Sequence, residues 1–297
     1  MDSPLVVGVD GSDSSLAAMD WAADEAVRHG VPLRIVHASL WERYEGTAPA
    51  STVDRPSGQI LAENIVGAAA ERAQSRCPSL TVATDIIAMD ASSALLEEGR
   101  AAVAVIVGSR GRGELADLLL GSVSLTVAAR SHCPVMVVRG DRQALEARHE
   151  RVLLGIGDHD IDSPAVRFAF REAAARNCEL DIVRIWRRPV HEEVDYPLPG
   201  DEAQYFEERT SELLDKALEA AVREHPQVLL RRATVEGQAR KVLVDRSATA
   251  DLLVVGARRR GGLLGMELGR VAHRTLHHAA CPVAVVPQPH PVSTAET

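Results

Sequence analysis

No apolar stretch of the roughly 18 residues that a membrane-spanning helix needs occurs in this 297-residue chain. The opening, MDSPLVVGVDGS, has no basic region ahead of an apolar run, so no secretory signal is expected there and the expected location is cytoplasmic. Cysteine is scarce: Cys77, Cys133, Cys178 and Cys281 form no CxxC pair and show no metal-ligand spacing, so buried reduced thiols are expected. Among 33 basic residues only Lys216 and Lys241 are lysine, and the formal net charge of −9 argues against non-specific nucleic-acid binding. Neither GxxxxGK[ST] nor GxGxxG occurs, which removes the P-loop and the dinucleotide fingerprint. Ser109 and Ser122 have no histidine at motif spacing, so no nucleophile–base–orienter set is visible.

What is present is a repeat. Residues 106–138 read IVGSRGRGELADLLLGSVSLTVAARSHCPVMVV, and residues 254–286 read VVGARRRGGLLGMELGRVAHRTLHHAACPVAVV, an offset of 148 residues. A duplicated domain is the direct reading, and the length agrees with two domains of about 150 residues each. The expected domains are 1–140 and 150–288, with the polar run RGDRQALEARHE (139–150) as the linker. At 46% hydrophobic and 25% charged residues, each half has enough apolar side chains for its own core.

Each half alternates strands and helices. In the first half strands are expected at 5–9, 33–38, 81–88, 103–107 and 134–138, and in the second near 152–156, 180–185, 228–235, 251–255 and 283–286. The first and fourth strands are continuous apolar runs, as parallel strands covered on both faces require. The expected fold is therefore α/β: two doubly wound, five-stranded parallel-sheet domains of Rossmann-like type in tandem. Pro134 and Pro282 suit the start of an edge strand, since proline cannot donate to a ladder. Exposed fifth strands would be covered by pairing the two halves about a pseudo-twofold axis, or in a homodimer. The charged stretch 201–223 carries Leu213, Leu214, Ala217, Leu218 and Ala221 at helical spacing, one buried face and one solvated.

In such a sheet, ligands bind beyond the carboxyl ends of the strands where strand order reverses. Two loops are expected to meet there: Asp10-Gly11-Ser12, and the segment Gly108-Ser109-Arg110-Gly111-Arg112-Gly113 with the later Gly121-Ser122-Val123. Gly108 and Gly111 permit positive φ and let main chain approach an anion. Gly121 and Ser122 open the next helix, where free amides and the dipole favour negative charge, and Arg110 and Arg112 add cations. Together they make an anion site of triphosphate size. The competing reading is a tight βα turn with Ser122 as an ordinary N-cap. Asp10, too, reads either as a ligand contact or as a cap beside Ser12, Asp13 and Ser14.

The pattern Gly108-x2-Gly111-x9-Gly121-Ser122 resembles the G-2x-G-9x-G-[ST] signature of ATP-binding universal stress proteins. The opening VVGVDGSDSS, the VHA at the end of the second strand and the close SHCPVMVV also resemble that family, in both halves. The resemblance implies ATP, with Mg2+, at the strand carboxyl ends. It places Asp10 and the backbone near Gly8 against the nucleoside and His37 and Ala38 near the adenine. Gly108, Ser109, Arg110, Gly111, Arg112, Gly113, Gly121, Ser122 and Val123 would hold the phosphates.

The second copy departs from the pattern. Asp10 aligns with Gly157, Gly111 with Arg259 and Ser122 with Arg270, while Gly155, Gly256 and Gly269 keep glycine. If position 259 needs left-handed backbone, a side chain there costs roughly 1–3 kcal/mol. Weak or absent nucleotide binding is expected in this half. The alternative is drift with binding retained, Gly155, Gly256, Gly269 and Arg270 forming its site and Arg270 gripping phosphate. His273 and His277, four apart, lack a visible third metal ligand, and His277 and His278 suit a helix C-terminus. The second strands end in His37 and Arg184, not in the acid that a dinucleotide dehydrogenase uses to hold ribose. Loop 186–200 is a lid, a partner surface or only a loop.

The expected function is an ATP-binding stress or regulatory protein with little or no turnover, passing a signal to a protein partner not identified by the sequence. Two alternatives stay open: an interaction module of the same fold that holds no nucleotide, and a slow ATPase.

Overall fold

A computed structural model describes residues 3–40, 57–111, 120–157, 163–186, 202–258 and 268–288 of the chain, which divides into two compact units, Met1–Arg139 and Gly140–Thr297. Among the described residues no helix is long and apolar enough to cross a membrane.

The first unit runs β1 (Leu5–Gly8), α1 (Asp13–His29), β2 (Leu33–Ala38), α2 (Ser57–Arg76), β3 (Val82–Ile87), α3 (Ala91–Glu98), β4 (Ala104–Gly108), α4 (Ser122–Arg130) and β5 (Val135–Val138). Its strands lie in the order β3-β2-β1-β4-β5, and these pairings are parallel. Leu5, Val6 and Val7 of β1 and Ala104, Val105 and Ile106 of β4 are at most 1% exposed, which is why these strands read as unbroken apolar runs. Burying side chains of that size contributes about 1.5–3 kcal/mol each. Helix α1 begins at Ser12, whose hydroxyl accepts the Ser15 N–H, and lays Ala18, Met19, Ala22, Ala23 and Ala26 on the sheet. It stops at Gly30, which takes the left-handed conformation (φ 64°) and donates back to Ala26 and Val27.

The second unit repeats the plan with α5 (Arg142–Leu145), β6 (Arg151–Ile156), α6 (Pro164–Arg176), β7 (Glu179–Trp186), α7 (Glu202–Glu224), β8 (Leu230–Glu236), α8 (Ala239–Arg246), β9 (Leu252–Arg258), α9 (Arg270–His278) and β10 (Val283–Gln288). Its order, β10-β9-β6-β7-β8, is the same topology, again parallel. Helix α6 ends as α1 does, with Asn177 (φ 50°) replacing glycine in the left-handed cap. The expected helix over 201–223 is α7, and Leu214, Ala217, Leu218 and Ala221 form its buried face.

The expected linker is not a free tether. Asp141 caps α5 by accepting the Ala144 N–H, its own N–H donates to the Ala280 carbonyl, and Ala144 is buried. Asp251, 2% exposed, then takes the N–H groups of His149 (2.9 Å) and Arg151 (3.1 Å), so a buried carboxylate fixes the start of β6. Polarity along 139–150 reflects these caps.

Candidate functional site

In the first unit strand order reverses between β1 and β4, which are hydrogen-bonded neighbours, so their carboxyl ends open on a common cleft. The β1 side of it is built by a serine-rich turn. Gly11 takes φ 78°, a conformation that suits glycine, and brings Ser12 back toward Asp10. Asp10 Oδ1 accepts the Ser12 N–H (3.0 Å) and the Ser12 hydroxyl (2.6 Å), while the Ser12 hydroxyl oxygen accepts the Ser15 N–H at 3.2 Å. Asp10 is thus a brace for the α1 cap and also a cleft residue. The two readings of this aspartate are not exclusive, because the carboxylate has a second oxygen.

That second oxygen faces the β4 loop. A Cβ added at Gly111 would lie 2.7 Å from Asp10 Oδ2. A Cβ at Gly108 would lie 2.6 Å from both the carbonyl and the hydroxyl oxygen of Ser14. Gly108 is therefore required by close approach of main chain, while a side chain at Gly111 would have to push the Asp10 carboxylate aside. Of the two freedoms that glycine allows at Gly108 and Gly111, positive φ is used at neither, and the turn glycine of this cleft is Gly11. The loop is pinned on every side. Ser109 donates to the Val138 carbonyl (3.1 Å), Arg110 N–H to the Ser14 hydroxyl (3.1 Å), Gly121 N–H to the Ser109 carbonyl (2.8 Å) and the Ser124 hydroxyl to the Gly108 carbonyl (2.6 Å).

Gly121, not Ser122, is the N-cap of α4, and no side chain caps this end. Ser122 is the first helical residue and is exposed, with Val123 half-buried behind it. The amides of the first turn of a helix lack intrahelical partners, so an uncapped end at a cleft is suited to an anion. Arg110 and Gly111 are exposed at its rim; Arg112 and Gly113 lie outside the described residues.

On the far side of β1, His37 Nδ1 is 2.7 Å from the Val9 carbonyl oxygen. A carbonyl only accepts, so Nδ1 carries a proton, and in the neutral tautomer with that proton Nε2 is an acceptor. Ala38 ends β2, paired with Ile87. Gly8 has a packing reason of its own: a Cβ there would come within 2.9 Å of Leu95 Cδ1 on α3. Gly155 stands in the same relation to Leu243 Cδ1, at 2.7 Å. Ser14, Leu95 and Ser124 are the residues that reading along the chain missed. For Ser14 a signal existed in the run of hydroxyls after Asp10, which reads first as a choice of caps.

The second unit differs at this end of the sheet. The position of Asp10 is Gly157, whose carbonyl accepts from Arg184 Nη1 at 3.3 Å. Gly256, at the place of Gly108, is covered by Gln288: a Cβ there would lie 2.8 Å from Gln288 Nε2. Gly269 caps α9 without a side-chain bond, as Gly121 caps α4, and Arg270 follows it, exposed. Arg259, Arg260 and Asp158 lie outside the described residues, as does loop 187–200. His273 and His277 stack with ring centroids 4.5 Å apart, and Arg274 Nη1 is 2.8 Å from His278 Nε2. Cys133 and Cys281 are buried, Cys77 and Cys178 half-buried, and none of the four is in a disulfide. Burial pushes the Cys133 thiol up, against the opposing Ser131 hydrogen bond, so it is held as an unreactive thiol.

Strand order, parallel pairing and the glycine loop at the switch point define a tandem pair of doubly wound α/β units. The chain belongs to the universal stress protein family: the model described as the universal stress protein family matches residues 1–139 and again 149–287. The chain is 34% identical over 290 residues to universal stress protein Rv2005c of Mycobacterium tuberculosis, covering 96% of this chain and 97% of the relative. It is 30% identical over 288 residues to universal stress protein Rv2623 of the same organism, covering 95% of each. Among solved structures, a universal stress protein of Archaeoglobus fulgidus superposes with a TM-score of 0.68 at 17% identity, covering 96% of this chain and 98% of that one, which supports the fold.

Proposed function

We propose that the first unit binds an adenine nucleotide, ATP carried with Mg2+, and that the protein acts as a nucleotide-dependent regulator with little turnover. One observation carries this reading: Gly108 is pressed against the Ser14 main chain and Gly111 against the Asp10 carboxylate, and the loop that they bound leads to the uncapped amino end of α4. Main-chain N–H groups of Gly121, Ser122 and Val123 would face the phosphates, with Arg110 at the rim. Asp10 would accept from ribose hydroxyls, and His37 Nε2 is an acceptor for the amino group of a base. The motif shared with ATP-binding members of the family supports the same assignment. In this reading Asp10 is turned to the ribose and His37 Nε2 to the base, so neither side chain is assigned to a water at the phosphates, which is the basis for expecting little turnover.

Gly121→Ala is the test. A Cβ at Gly121 meets its nearest neighbours at 3.6 Å and the residue has φ −73°, so the fold tolerates alanine while the phosphate seat is narrowed. ATP affinity is expected to fall tenfold or more by calorimetry, with the circular dichroism spectrum unchanged. An unchanged affinity refutes the phosphate assignment. Parallel titrations with ADP and a cyclic nucleotide separate a triphosphate site from a general adenine site.

A further inference from the structure

Resting on that reading of the first unit, we infer that the second unit admits no nucleotide because its own residues close the cleft, Arg184 standing where the base would lie, so that the chain holds one nucleotide. Gly30 and Asn177 end α1 and α6 alike; counting forward from them sets Arg184 at the place of His37, and counting back sets Gly157 at that of Asp10. The first unit presents acceptors at these places, a carboxylate and an imidazole nitrogen. The second presents a guanidinium, which has donors only. Arg184 is 5% exposed and donates to the Gly157 carbonyl, across the end of β6. Ribose hydroxyls and an adenine amino group entering there would find no side-chain acceptor at either position. They would also have to displace a buried cation from its hydrogen bond.

Three further differences point the same way. Helix α6 has 13 residues where α1 has 17, and the missing turn is the amino-terminal one that carries Ser14. Counted back from the same caps, the α6 N-cap Ser163 stands at the place of Leu16. Strand β9 runs on through Ala257 and Arg258, paired with Pro287 and Gln288 of β10, whereas β4 stops at Gly108. The residues that begin a loop in the first unit are thus tied into the sheet in the second. Finally, the Asp10–Gly111 contact is replaced at both members, by Gly157 and Arg259. Once the carboxylate is absent, nothing known in the first unit requires glycine opposite it.

The experiment is titration of the full chain with Mg-ATP, read as equivalents bound. Wild type is expected to take one and Gly121→Ala none at the same concentrations. Arg184→His, which restores the residue of the first unit, is expected to take a second equivalent at least tenfold weaker than the first. Arg184→Lys keeps a buried donor and is expected to stay at one. Two equivalents on wild type overturn the inference alone; none on wild type removes the first-unit reading and the inference with it. A single equivalent on folded Arg184→His shows that Arg184 is not the closing residue and overturns the assignment. Should that variant not fold by circular dichroism, photolabelling of wild type with 8-azido-ATP decides: label confined to peptides of residues 1–139 is expected, and label in residues 151–186 or 252–288 overturns it.

Discussion

The two units agree nearly everywhere except at one end of their sheets. Strand order, the left-handed helix ends at Gly30 and Asn177, and the glycine pressed against a leucine (Gly8 on Leu95, Gly155 on Leu243) are common to both. At the carboxyl ends of β1 and β4 on one side, and of β6 and β9 on the other, acceptors become donors, a helical turn is lost and a loop becomes strand. The comparison separates glycines pressed against a leucine side chain in both units from glycines whose surroundings differ between them, which the chain alone does not distinguish.

The largest effect that would break this comparison is at the paired glycines of the fourth strands. In Gly108→Ala the new Cβ meets main chain, the Ser14 carbonyl, so α1 or the loop must move, a cost of about 1–3 kcal/mol for overpacking. In Gly256→Ala the obstacle is the amide end of the Gln288 side chain, which can rotate away, and the cost is expected to stay below about 1 kcal/mol on the same scale. Urea unfolding of the intact chain, followed by circular dichroism, compares the two. Equal losses would mean that Gly256 is as tightly packed as Gly108, and that the second unit keeps a preformed loop.

A smaller effect is expected at Gly8 and Gly155, where the comparison predicts sameness. Each alanine presses on a buried leucine methyl group, so each is expected to cost about 1–2 kcal/mol. Adding Leu95→Ala to Gly8→Ala, or Leu243→Ala to Gly155→Ala, is expected to give similar coupling in the two units by double-mutant cycle. A Gly8→Ala variant that keeps its stability and loses ATP binding would instead make Gly8 a cleft glycine, with no equivalent role for Gly155.

The fold was legible because apolar runs and helical spacing report burial directly. The strands around Val7, Val36, Ile106 and Val137 are buried on the terms that their sequence announces. The loop signature was legible as spacing, but the reason for each glycine was not. Close approach of Ser14 to Gly108 joins residues on different elements, and no local pattern encodes it. The helix start at Ser122 was legible, and only the competing reading of Ser122 as the N-cap fails, since Gly121 holds that place. The run 139–150 was legible as the stretch that joins the repeats, but not its short capped helix, because capping residues and linker residues are drawn from the same polar set. Arg184 was visible at the end of a strand, but its bond to the Gly157 carbonyl depends on tertiary placement.

The finest test of the difference is Ser14→Ala. The hydroxyl of Ser14 accepts the Arg110 N–H at 3.1 Å, and it belongs to the turn of α1 that α6 lacks. Removing it leaves Gly108 still covered by the Ser14 carbonyl, so stability is expected to change little at this exposed loop. What is lost is the one side-chain acceptor holding the loop amide before Gly111. A hydrogen bond of this kind is worth about 1 kcal/mol net, so ATP affinity is expected to fall roughly fivefold. Ser14→Thr keeps the hydroxyl and is expected to recover most of that loss, which a general loosening of α1 would not. If Ser14→Ala binds ATP as wild type does, the loop is held well enough by the Ser124 hydroxyl and by its main-chain bonds to Val138 and Gly121. The missing turn of α6 would then count as drift in helix length, and closure of the second cleft would rest on Arg184 and the extended β9–β10 pairing.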